Sequence, residues 1–244
     1  MIAGGAYYYT QQTRDEAENY SPIVASLKDI TDQYTHQTSN QQQQSYPHTE
    51  LTQELEQRIS AEIDEIESRV IADDYQEGDL TIDDQKFEDY MVLAMKYQSL
   101  GQWDEAAKTY TQAIEEYPNR PLSWYNLGTF QVKAGAWQSA TNNLIRSLEL
   151  DSDYLPAWSQ LIDFYRYKIK AHQPDMMSLY ELALEYTNNS VTIIKDYAYY
   201  LDSIGEKQLA LDYWKQAYDL AQNNHDIILQ NIQRLEVELK NAIE

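Results

Sequence analysis

The chain contains no cysteine, which excludes a disulfide framework, a thiolate metal site and a thiol nucleophile. Glycine and proline are scarce, at 7 and 6 residues in 244, where average usage gives about 17 and about 12. Sheet-rich folds need many tight turns, so this scarcity favours long helices with short connections. Positive charge is also in short supply: 18 Lys and Arg stand against 40 Asp and Glu, a net charge of −22. Such a chain repels polyphosphate, and nucleic acid is excluded as a partner. Catalytic signatures are missing too. His36, His48, His172 and His225 are scattered, and no His-Glu-x-x-His pair, glycine-rich phosphate loop or nucleophile elbow occurs. No catalytic residue, metal site or cofactor is expected.

Apolar material is ample, at 43% of residues with 22 Tyr and 5 Trp. Composition divides the chain near residue 86, with a net charge of −13 before that point and −9 after it. Residues 37–45 form a polar Gln-rich tract with nothing to bury, and residues 1–50 are expected to be a flexible polar segment. The first ten residues, Met-Ile-Ala-Gly-Gly-Ala-Tyr-Tyr-Tyr-Thr, are too few to span a bilayer, which takes about 20. They lack the basic flank of a signal peptide, yet resemble the interfacial end of a membrane helix. A loose tail and a membrane-proximal end are both open readings. The compartment stays open with them: cytoplasmic, or the soluble part of a membrane-anchored protein.

Residues 51–86 read as an amphipathic helix followed by an acidic linker. Leu51, Leu55, Ile59, Ile63, Ile66 and Val70 recur at three and four, the spacing of one helical face, with Thr49 or Thr52 as its cap. That face must dock on this chain, on a second copy as a coiled coil through residues 51–72, or on a partner. In the linker, Asp73, Glu77, Gly78, Asp79, Leu80 and Asp84 stand at calcium-loop positions, but Tyr75 occupies a position that needs an oxygen ligand, so a solvated acidic stretch is expected instead.

From residue 87 the chain repeats. Tyr90, Leu93, Ala94, Tyr97, Gly101, Ala106, Tyr110, Ala113 and Pro118 recur 34 residues later as Trp124, Leu127, Gly128, Gln131, Gly135, Ala140, Leu144, Ser147 and Ser152. A third copy opens on Trp158, Leu161, Ile162 and Tyr165 and closes two residues late on Tyr180 and Ala183. The fourth reads Ile194, Tyr197, Ala198, Leu201, Gly205, Ala210, Trp214 and Ala217. The boundaries are 87–120, 121–154, 155–190 and 191–224 within a repeat region of 87–224. Each unit has the pattern of a helix pair: small residues where the helices approach, large ones between pairs, and a glycine where the chain reverses. One pair cannot bury its own apolar face, so the pairs must stack. The third repeat departs most, because residues 168–174 lengthen its turn and no glycine marks it. At 225–244, Ile228, Ile232 and Leu235 continue the spacing with a polar far side, as expected of a helix that caps the last repeat.

These residues resemble the tetratricopeptide repeat family. Residues 101–118, Gly-Gln-Trp-Asp-Glu-Ala-Ala-Lys-Thr-Tyr-Thr-Gln-Ala-Ile-Glu-Glu-Tyr-Pro, match its second helix and closing proline, and Trp124-Tyr-Asn-Leu-Gly128 matches its first helix. The resemblance implies an all-α, right-handed α-solenoid of helix-turn-helix repeats whose first helices line a concave groove. Its lining is then Met91, Met95, Gln98, Tyr125, Asn126, Thr129, Val132, Ser159, Asp163, Arg166, Lys195, Tyr199 and Asp202. Asn126 stands where chaperone-binding members hold a peptide backbone, but Met91, Met95, Pro156 and Gln160 replace the Lys, Asn, Lys and Arg of their carboxylate clamp, so that ligand is not expected. The implied function is a non-enzymatic scaffold or assembly subunit that grips an apolar or mildly basic partner segment. The alternative is a structural component that self-associates through the 51–72 helix and repeat stacking.

Overall fold

The computed structural model describes residues 21–34, 51–76, 78–221 and 226–242. The fold is all-α, with no strand among the described residues. The chain forms two units, residues 1–151 and 152–244. The first contains α1 (Pro22–Thr31), a 3₁₀ turn (Asp32–Tyr34), α2 (Gln53–Ala72), α3 (Ile82–Ser99), α4 (Trp103–Glu116), α5 (Pro121–Ala134) and α6 (Trp137–Leu150). The second contains α7 (Leu155–Asp163), continued by a π-helix (Phe164–Ile169), then α8 (Gln173–Tyr186), α9 (Val191–Ser203), α10 (Lys207–Leu220) and α11 (Asp226–Asn241). The polar 37–45 tract and the first ten residues lie outside the described residues. No helix among the described residues is long and apolar enough to cross a membrane.

Local chemistry fixes the ends of these helices. The Thr52 side chain accepts the Leu55 amide and caps α2, and Thr81 accepts the Asp84 amide at the start of α3. Pro121 opens α5, where its missing N–H costs nothing. Gly135 ends α5 at φ 75°, the left-handed conformation that lets the chain reverse. The indoles of Trp124 and Trp158 each donate to a carbonyl six residues earlier, Pro118 and Ser152, at 2.8 Å. The same tether thus recurs in successive repeats.

In the first unit α3 packs on α4, α4 on α5 and α5 on α6. Ala106, Ala113 and Ala140 are fully buried. Gly128 allows the closest approach: a Cβ there would lie 2.9 Å from Leu144 Cγ and 3.2 Å from the Ala140 carbonyl oxygen. The α2 helix lies against α3, with Ile63 and Ile66 buried in a cluster with Phe87, Tyr90 and Leu93. Charge pairs frame the contact. Arg69 grips Asp89 through two bonds of 2.6 and 2.7 Å, Tyr75 donates to the same carboxylate, and Lys96 meets Glu62.

The expectation of a wholly flexible 1–50 segment is corrected by α1. Ile23, Val24, Leu27, Thr31 and Tyr34 are buried at spacings that form one helical face, and α1 packs against α6. The α6 sequence accommodates it. Ile145 is buried at a position where the other repeats carry Thr111, Glu181 and Lys215, all exposed.

In the second unit α9 pairs closely with α10, and α10 packs against α11. Ile228 and Leu235 are buried there, while Arg234 pairs with Asp202 at 2.6 Å and Lys207 with Glu238 at 2.6 Å.

Candidate functional site

The first helix of each pair carries the residues proposed to line a binding face, and their burial sorts them. On α3, Met91 is buried, and its Sδ accepts a bond from Asn126 Nδ2 at 3.3 Å. Val132 on α5 is buried as well. Both are core residues, which corrects their placement in the groove. The outward stripe on α3 is Glu88, Val92, Met95 and Ser99, all exposed. It recurs 34 residues later on α5 as Leu122, Asn126, Thr129 and Lys133. Met95 is 57% exposed, Val92 41% and Leu122 38%. Tyr125, Asn126 and Thr129 are half-buried. Gln98 is turned inward, donating to the Tyr110 hydroxyl at 2.7 Å. Val92 and Leu122 are exposed apolar residues of this stripe that the sequence reading did not include. Their signal lay in the spacing of 88, 92, 95 and 99, one residue round the helix from the stripe through Met91.

The α7 and α9 helices carry a different surface. Arg166 reaches Asp196 at 3.4 Å and the Tyr180 hydroxyl at 3.3 Å, and its guanidinium lies 5.0 Å from the Tyr167 ring and 5.2 Å from that of Tyr200. The Tyr180 hydroxyl donates to Asp196 at 2.8 Å. Its ring stacks on Tyr197 at 4.7 Å. Burial, then the charge of Asp196, push the Tyr180 hydroxyl well above its ordinary pKa. Asp163 is exposed, but partial desolvation and the nearby Asp196 still raise its carboxyl, against the pull of Arg166. Ser159 and Lys195 are half-buried. Tyr199 and Asp202 are engaged by α11: Asn231 lies 3.4 Å from the Tyr199 hydroxyl, and Arg234 pairs with Asp202. The sequence pattern marked Tyr180 only as a repeat position and did not single out Asp196 or Tyr167, because these contacts form between helices.

Two of the linker carboxylates, Asp73 and Asp84, are engaged in contacts. Asp73 lies 3.2 Å from Lys86, and Asp84 is held below the usual carboxylate range by the Thr81 hydroxyl and then by Arg120. No group of three or more potential metal ligands occurs among the described residues.

Residues 87–120 match the family model described as Tetratricopeptide repeat. No curated protein matches the chain. Among solved structures, the chain is similar to "Crystal structure of MamA protein" at 15% identity, covering 81% of this chain and 91% of that one, with a TM-score of 0.48. It is also similar to "Crystal structure of YrrB: a TPR protein with an unusual peptide-binding site" at 16% identity, covering 84% and 97%, with a TM-score of 0.43.

Proposed function

We propose that the chain, whose residues 87–120 match the tetratricopeptide repeat model and whose described residues fold as stacked helix pairs, is a non-enzymatic scaffold gripping a partner segment on the α3–α5 face. The observation that carries this reading is the exposed apolar strip of Val92, Met95 and Leu122, with Tyr125 and Asn126 beside it. Large apolar side chains aligned on one face lose solvation free energy to no purpose unless something covers them. An amphipathic segment fits such a strip, and methionine adapts its shape to the ligand. Asn126 supplies a polar group that holds an extended backbone or a side-chain amide. Glu88 at the edge of the strip and the net charge of −22 favour a segment with mild positive charge.

The self-associating alternative draws no support from α2, whose Ile63 and Ile66 are already buried against α3. The test compares wild type with Met95→Glu/Leu122→Glu as bait, with circular dichroism confirming that both are folded. A protein retained by wild type and lost by the variant supports the face. A partner held equally by both overturns it.

A further inference from the structure

Three of the four turns that join paired helices close in one way. Gln102 donates to the Tyr97 carbonyl, Ala136 to Gln131 and Glu206 to Leu201, each bond spanning five residues at 2.9 Å. A left-handed glycine sits in each, at φ 71°, 75° and 88° for Gly101, Gly135 and Gly205. The turn after α7 differs. Ala171 donates to the Tyr165 carbonyl across six residues at 3.0 Å, and the left-handed position is held by Lys170 at φ 56°. One of the two inserted residues is absorbed in the π-helix, and the other is His172, which precedes α8.

This insertion builds a surface found at none of the other turns. Tyr167 is 58% exposed beneath the Arg166 guanidinium. Lys168 and Lys170 are exposed, and neither pairs with a carboxylate among the described residues. Three of the chain's 18 basic residues thus fall within five positions of a chain with net charge −22. Arg166 is held by Asp196 and the tyrosine rings, but packing does not account for Lys168 and Lys170, which are exposed to water. Backbone conformation argues against Lys170, because a side chain is disfavoured where the neighbouring turns use glycine. Irregular helix of this kind is frequent at functional positions.

We propose that this turn is a docking site for an acidic segment of a partner protein. Carboxylates pair with the ammonium groups of Lys168 and Lys170, and an apolar or aromatic residue of the segment packs on the open Tyr167 ring. The acidic surroundings confine such a segment to this one point, so the site discriminates by position as well as by charge. A nucleic acid fits less well, because few cations face it here and the rest of the chain repels its phosphates. A second copy is disfavoured by the repulsion between two chains of charge −22. The site lies in the second unit and prefers the opposite charge from the α3–α5 strip, so the two readings stand or fall separately.

Fluorescence anisotropy with the full chain tests it, using a fluorescein-labelled glutamate-rich peptide with one central phenylalanine. Wild type binds this probe with an affinity that falls as salt rises. Lys168→Glu/Lys170→Glu weakens binding about tenfold or more, and Tyr167→Ala weakens it severalfold, in the range of an anchor loss. Lys170→Gly weakens it while leaving the melting temperature unchanged or higher, which separates recognition from folding. Lys108→Glu, an exposed lysine elsewhere, leaves it unchanged. The proposal is overturned if the probe does not bind at low salt, or if Lys108→Glu acts as strongly as the double reversal. It is also overturned if single-stranded RNA competes at equal concentration and responds to the same variants, since the partner is then a nucleic acid.

Discussion

The second and third helix pairs solve the same packing problem differently. Between α5 and α6 the facing residues are Gly128 and Ala140, and the helices run in close contact. At the corresponding positions of α7 and α8 stand Ile162 and Met176, both buried, and these helices approach over a shorter stretch. Two large side chains in place of two small ones hold the backbones apart. A wider gap needs a longer connection. The two extra residues and the π-helix supply it, so the surface carrying Lys168 and Lys170 follows from a substitution in the core. One small residue on each helix therefore sets the separation of the pair and also the shape of its turn.

Met176→Ala leaves a gap that the long turn cannot close, and the expected loss is about 2–5 kcal/mol, the range for truncating a buried methionine. A denaturant midpoint close to that of wild type would mean that α8 relaxes onto α7 and that the spacing is set elsewhere. Gly128→Ala tests the other pair. Its new Cβ meets Leu144 Cγ and the Ala140 carbonyl inside normal contact distance, and overpacking of this kind costs about 1–3 kcal/mol. An unchanged melting temperature would show that α5 and α6 have slack. Lys170→Gly has the opposite sign: relief of a left-handed lysine gives up to about 1 kcal/mol of stability, reduced by the greater freedom of glycine in the unfolded chain.

The smallest effect concerns Asp163, which occupies the position of Thr129 in the preceding repeat. Its folded pKa is raised by partial desolvation and by Asp196, so its ionised form disfavours the fold. The stability linked to its protonated form is present below the unfolded value of about 3.9 and is lost as pH rises through the folded value. Asp163→Asn therefore stabilises slightly at neutral pH and does nothing in acid. Denaturant midpoints of the two proteins from pH 3 to pH 7 check this, and a gain that persists at pH 3 would contradict it.

Much of this architecture is written in the residue pattern, because helix pairs follow from local spacing. Gly101, Gly135 and Gly205 mark the reversals, and Thr52 caps α2 as its position suggests. What the pattern hides depends on rotation and on distant contacts. Each residue turns a helix by about 100°, so a single step along the chain separates buried Met91 from exposed Val92 and buried Val132 from exposed Lys133. The α1 helix was hidden by its polar surroundings, although its apolar residues had a counterpart in Ile145, the odd member of its column. The widened third turn was visible as extra length. Its cause, Ile162 facing Met176, shows only when both columns of the repeat are read together.

The repeated indole tethers give the molecule a built-in optical record. Trp124 and Trp158 are buried and hold their N–H groups on carbonyls of the preceding connection, while Trp214 is buried edge-on to Tyr199. Trp103, Trp124 and Trp137 lie in the first unit, Trp158 and Trp214 in the second. An indole that loses such a bond and meets water shifts its emission to the red. Replacing the tryptophans of one unit with phenylalanine leaves emission from the other alone, so the colour of the fluorescence then dates the opening of each unit during denaturation and shows whether the two let go together or in turn.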